Sequence, residues 1–251
     1  MVHIDDRNGQ RWMRMEAGKV QALDLELVDD LRAALARARD DGAPPLAITG
    51  TGGSFSAGVD LFRVVREGAP YVGRFLPALG GLLFELFTYP GPVVSAVNGH
   101  AVAGGALIAW CADARVMAAG KGRIGVPELR VGVPFPAVAV EILRFATGGR
   151  GLQALAYVGR TMPADEALAA GLVDEVAPAD ALEPRASAQL ASLAGIPRET
   201  FEVTKRALRR PHVDTLQRDG AMIDDEVLGV WRRPATMTVI QAYLERTFKP
   251  S

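Results

Sequence analysis

The sequence predicts an α/β protein, and three observations carry that expectation. A short apolar run at Leu46–Thr49 is followed by the glycine-rich stretch "GTGGSFSAGVDL" and then by a helical pattern. The same order returns at "PVVSAV" (92–97), "NGHAVAGG" and the apolar stretch after it. Strands alternating with helices in this way argue for a layered α/β architecture. The third observation is the C-terminal part of the chain, where from about Ala194 only helical patterns remain.

Each element has its own justification. "VQALDLELVDDLRAALARARDDG" places Leu25, Val28, Leu31 and Leu35 on one helical face, with Gly42 as its stop. The strand at Leu46–Thr49 runs straight into the glycine-rich turn, and a second helical region follows. After "PVVSAV" comes a turn at "NGH" (98–100), and "GGALIAWCA" is apolar all round, as a buried core helix should be. "ARVMAA" (114–119) reads as the next strand. Pro163 suits the first position of a helix, Asp165 and Glu166 favour its first turn, and Gly171 suits the residue past its end. "GLVDEVAP" adds one more short strand. In the tail, Leu216, Ile223, Val227 and Val230 share a stripe, and "TMTVIQAYLERTF" adds more apolar surface. Such helices need a packing partner. The expected division is therefore an α/β core at 1–193 and a helical region at 194–251.

Composition narrows the class of function. With 251 residues the chain can bury a full core. Lys and Arg (28) nearly balance Asp and Glu (29), which leaves no basic footprint for nucleic acid or an anionic membrane. Cys111 is the single cysteine, so no intramolecular disulfide forms. "MVHIDDRNGQ" has neither the basic start nor the apolar core of a secretion signal, and a cytoplasmic location is expected. Leu86 to Ala112 carries no Asp, Glu, Lys or Arg and is long enough to span a bilayer. Pro90, Pro92, the 98–100 turn and Gly104-Gly105 interrupt it, so it reads as a buried strand, a turn and a helix.

Two glycine-rich strand ends, Gly58-Val59 and Gly104-Gly105, are placed to aim two backbone N–H groups at one point. That arrangement is an oxyanion hole, which stabilises negative charge developing on a carbonyl oxygen. Each cluster alone is ordinary turn chemistry. Together, "FSAGVDL", "AVNGHAVAGGALIAWCADARVMA" and "GVPELRVGVPFP" resemble the enoyl-CoA hydratase/isomerase (crotonase) superfamily in content, order and spacing. "MPADEALAAGLVDEVAP" and "IPRETFEVTKRALRR" extend the resemblance from about Gly18 to the C-terminus.

The resemblance implies a spiral of ββα turns and an acyl-CoA thioester whose enolate is held by the N–H groups of Val59 and Gly104. It places Ala57, Gly58, Asp60, Gly105, Leu107 and Pro127 around the substrate, with the Ala57 carbonyl meeting the adenine and Gly58 leaving room for the ligand. Coenzyme A is part of the substrate; no separate cofactor and no metal are implied. The assembly implied is a homotrimer or a dimer of trimers. Hydratases of the superfamily use two glutamates; here the first position is Leu107 and the second is Glu128 in "GVPELRVG". Adding water asks for two groups, whereas moving a double bond from the 3,4 to the 2,3 position asks for one base that takes and returns a proton. With leucine in place of the first glutamate, the chain looks most like the mitochondrial-type Δ3,Δ2-enoyl-CoA isomerases. A 2-enoyl-CoA hydratase and a non-catalytic acyl-CoA binding protein are the alternatives.

Other residues have plainer readings. Asp60 suits a helix N-cap, and His100 lies in a turn. Glu141 faces either the acyl chain or, more ordinarily, solvent. Cys111 reads as a buried helical thiol rather than a nucleophile paired with His100. His3, His100 and His212 show no metal-ligand spacing. Arg246 and Lys249 are basic residues placed to reach a CoA phosphate.

Overall fold

The computed structural model describes residues 1–149 and 151–247. The chain opens with β1 (Val2–Arg7), β2 (Gln10–Met15) and β3 (Ala22–Leu23), followed by α1 (Leu25–Asp40). Then come β4 (Leu46–Thr49), β5 (Ser54–Ser56), β6 (Gly58–Val59) and α2 (Leu61–Phe87). The next turn holds β7 (Val93–Val97), β8 (His100–Val102) and α3 (Gly104–Trp110). After it follow β9 (Ala114–Ala118), β10 (Arg123–Gly125), α4 (Glu128–Val131), α5 (Ala137–Thr147) and α6 (Leu152–Val158). The remainder is β11 (Thr161–Pro163), α7 (Ala164–Ala169), β12 (Glu175–Ala177), α8 (Leu182–Ala194), α9 (Arg198–Trp231) and α10 (Pro234–Thr247).

These elements wind as a spiral of ββα turns. Strands β1-β2-β4-β7-β9-β12 form a six-stranded sheet, β11-β10-β8-β5 a four-stranded one, and β3 pairs with β6 alone. Within the large sheet only β1 and β2 are antiparallel. Each turn gives one strand to the large sheet and the next to a smaller one. β4 and β7 are buried along their whole length, Thr49 and Ser95 included, which is why they show no apolar-polar alternation.

The first helix starts at Leu25, where its apolar period begins, and Ala22 and Leu23 just before it pair with β6. Asp24 then caps α1 by accepting from the Leu27 N–H at 2.8 Å. Pro163 closes β11 and stands just before α7, not inside it. Gly171 follows that helix with φ +72°, as a terminating glycine does. Among the described residues no helix is long and apolar enough to cross a membrane. Cys111 is fully buried, and its thiol is pushed up to about 12 by that burial, which removes it as a nucleophile.

The expected division at 193/194 falls at the last residue of α8, Ala194, and α9 begins at Arg198. α8 seats Leu182, Ala186 and Leu190 on the large sheet, against Val94 and Val116. The tail beyond it folds back on its own chain: Val227, Trp231, Ile240 and Leu244 are buried in the main core. Leu216 and Ile223 pack against that core from the same stripe. α9 lies on α5, while α10 lies over α2 and α4.

Candidate active site

The two glycine clusters meet at one end of a cavity of about 440 Å³. Of the sequence-predicted site residues, Ala57, Val59, Asp60, Gly104, Leu107, Pro127 and Glu128 line it. Ala57 is exposed at its mouth beside His100, while Leu76, Leu79 and Leu83 of α2 and Trp231 and Leu244 of the tail make it apolar.

Strand pairing decides which amides are free. The Ala57 N–H donates to the Val20 carbonyl (2.9 Å) and the Asp60 N–H to the Leu23 carbonyl (3.0 Å). The Gly58 N–H donates to Ser56 Oγ at 3.1 Å. β6 has β3 as its one strand neighbour, so alternation along the strand turns the Val59 N–H to the uncovered edge. Gly104 is the first residue of α3, where an amide has no intrahelical acceptor.

Two glycines act differently from the expectation. Gly58 has φ +81°, and a β-carbon there would lie 2.6 Å from the Val102 carbonyl oxygen, 2.7 Å from Ala103 Cβ and 3.1 Å from the Gly104 nitrogen. What it makes room for is the second loop, not the ligand: its bareness lets the two clusters touch. Gly105 does not line the cavity. It packs against the backbone and Cβ of Ser56, which a side chain would strike.

Glu128 opens α4 and is 9% exposed. Gly132 (φ +94°) caps this short helix, donating to the Glu128 carbonyl at 3.0 Å. Its side-chain Oε2 is buried and has no hydrogen-bond partner among the described residues. Burial pushes the carboxyl up to about 8, against a hydrogen bond from its own backbone that acts to lower it. Leu107 stands one helical turn after Gly104 and is 3% exposed, presenting a branched hydrocarbon to the cavity. Asp60 also lines the cavity, but its carboxylate is engaged as the cap of α2, accepting from the Arg63 N–H at 3.0 Å.

Glu141 departs from both readings offered for it. It is buried and paired with Arg144 (2.5 Å) and His212 Nδ1 (2.7 Å), so it neither faces the acyl cavity nor stands in solvent. His3 pairs with Glu16 at 2.6 Å, far from the other two histidines in role. The Arg246 guanidinium lies 5.9 Å from the Tyr243 ring centre, and Lys249 lies outside the described residues. A residue the sequence did not single out is Ala103, which lines the cavity with φ +55° and ψ −127°. An alanine where glycine geometry is required gives no pattern to read.

A buried carboxyl with one oxygen unpartnered, lining the same hydrocarbon-walled cavity as Val59 and Gly104, suits proton transfer at a carbon next to a carbonyl. Comparison with known proteins agrees in kind. A solved structure of human mitochondrial delta3-delta2-enoyl-CoA isomerase superposes with a TM-score of 0.92 at 26% identity, covering 98% of this chain and 97% of that one. The human enoyl-CoA delta isomerase 1 sequence aligns at 27% identity over 98% of this chain and 82% of its own length. A protein of Thermus thermophilus named as a putative enoyl-CoA hydratase is 40% identical over 61% of this chain, which spans 59% of that relative's length. The profile of the enoyl-CoA hydratase/isomerase family matches residues 8–248, and the chain belongs to that family.

Proposed function

We propose that the protein is a Δ3,Δ2-enoyl-CoA isomerase in which Glu128 shuttles one proton. The observation that carries the reading is Leu107 on the cavity wall where the family's hydratases hold a second glutamate. Glu128 is then the one lining carboxyl, among the described residues, that is not engaged in a helix cap. The thioester carbonyl sits between the N–H groups of Val59 and Gly104. Glu128 takes the proton from the carbon next to the thioester, the electron pair moves onto the carbonyl oxygen as an enolate, and the two amides hold that charge. The same carboxyl returns the proton at the fourth carbon, leaving the double bond between the second and third. Every proton is accounted for without a cofactor beyond the coenzyme A of the substrate. The assembly that goes with this reading is a homotrimer or a pair of trimers.

The second reading, hydration of a 2-enoyl-CoA, is favoured by the name of the Thermus relative. Turnover of 3-enoyl-CoA against 2-enoyl-CoA by the same preparation separates them, the isomerisation being expected to dominate. Glu128→Gln should retain acyl-CoA binding and lose about 10²- to 10⁴-fold in turnover. Deuterium exchange at the α-carbon of a bound saturated acyl-CoA tests the binding-only alternative. Exchange by the wild type and none by Glu128→Gln is the expected pair of results.

A further inference from the structure

We propose that Ala103 is a positioning residue, whose methyl group sets the spacing between the Val59 and Gly104 amides; the proposal rests on the oxyanion role given to those amides above. Ala103 adopts φ +55° and ψ −127°, a backbone region that glycine enters freely and a residue with a β-carbon does not. Four non-glycine residues among those described have positive φ, namely Asn8, Gln21, Ala43 and Ala103, and Ala103 is the one that lines the cavity.

The strain is held from both ends. The Ala103 N–H donates to the Gly125 carbonyl at 2.8 Å, and its carbonyl accepts from the Leu107 N–H at 3.1 Å. Between these anchors the methyl points at Gly58, since a β-carbon built on Gly58 would come within 2.7 Å of it. The peptide that follows Gly58 carries the Val59 N–H, and the peptide that follows Ala103 carries the Gly104 N–H. The methyl of the residue before one proposed donor therefore stands against the residue before the other. Glycine at 103 would relieve the backbone, and strain kept at a reacting site points to a role there.

The role follows from geometry. Two donors stabilise an oxyanion when both lie about 2.7–3.1 Å from the place that oxygen takes. Without the methyl, β6 and the turn before α3 lose their spacer, and one donor drifts out of that range. Binding of the rest of a CoA thioester does not pass through this contact, so the loss belongs to the chemical step.

The test uses three proteins and a saturated acyl-CoA labelled with ¹³C at the thioester carbonyl, read by isotope-edited infrared difference spectroscopy. Wild type should shift the carbonyl stretch to lower frequency. Ala103→Gly should shift it less, lower kcat about tenfold or more with KM changed by under about threefold, and melt no earlier than wild type. Ala103→Ser keeps the β-carbon and should stay within about threefold of wild type in kcat. The proposal is overturned if Ala103→Gly keeps full carbonyl shift and kcat, or if its melting temperature falls together with kcat, which would assign the methyl to packing. It is overturned as well if Ala103→Ser loses as much as Ala103→Gly. No carbonyl shift in the wild type would refute the oxyanion reading itself, and this proposal with it.

Discussion

Glu128 stands in the protonated form near neutral pH in the free protein, because its carboxyl is pushed up to about 8 by burial. A base must give up that proton before it can act. kcat/KM, which reports groups of the free enzyme, should therefore rise with pH and level off above about 8. A profile already flat from pH 6 would remove Glu128 from the role of base. The same burial sets a stability dependence. The folded carboxyl keeps its proton up to about 8, while the unfolded one, with its ordinary value of 4.5, has released it. The folded state thus binds more protons between these values, and its stability falls as pH rises from 4.5 towards 8. Glu128→Gln stays neutral and should be more stable than wild type at pH 9, by on the order of a few kcal/mol, and near parity at pH 4.5, in denaturant titrations. At this scale Glu128 and Leu107 were placed by the motifs that carry the family resemblance rather than by side-chain type, and both line the cavity. Gly58 and Glu141 were not: the partners that explain them, the Val102–Gly104 turn and His212, lie far along the chain.

α3 carries both a proposed donor at its first residue and, one turn on, the leucine that removes the second carboxyl. That geometry predicts the outcome of restoring it. Leu107→Glu should place an acid in the cavity with Glu128 and allow some hydration of a short 2-enoyl-CoA, measured beside wild type under the same conditions. Burying the new carboxyl should cost on the order of a few kcal/mol if it finds no partner. Two carboxyls in one apolar cavity also raise the pKa of one of them, which suits a general acid. If wild type already hydrates as fast as it isomerises, Leu107 does not discriminate the two reactions. The long helices and β4, β7, β9 and β12 of the large sheet were legible as elements, short and mainly apolar between turn residues, whereas β1 and β2, rich in charged side chains, were not read. The short strands β5, β6, β8 and β10 were not. Each is two or three residues long and takes its conformation from the neighbouring turn of the spiral rather than from a pattern of its own.

Across the whole molecule, the apolar surface of the tail that called for a partner finds one in its own chain. Val203, Leu208 and Met222 of α9 stay exposed and are free to serve the proposed trimer or pair of trimers; light scattering at micromolar concentration should give three or six times the chain mass, and a monomer would refute the proposal. Beside its buried apolar contacts, the tail's docking includes two specific contacts near the site. The Trp231 indole donates to the Pro134 carbonyl at 3.0 Å, and Val239 Cγ1 sits where a β-carbon on Gly132 would lie only 2.5 Å away. Both contacts fall on the segment that follows Glu128. Warming that loosens α10 alone would admit water to the cavity and rehydrate Glu128, while the sheets stay folded. Activity should accordingly fade, reversibly, several degrees below the temperature at which far-ultraviolet circular dichroism reports unfolding, and coincident transitions would count against a separately melting tail. A helix that looks like a structural afterthought would in that case act as the thermostat of the reaction, setting the upper temperature of function independently of the fold that carries it.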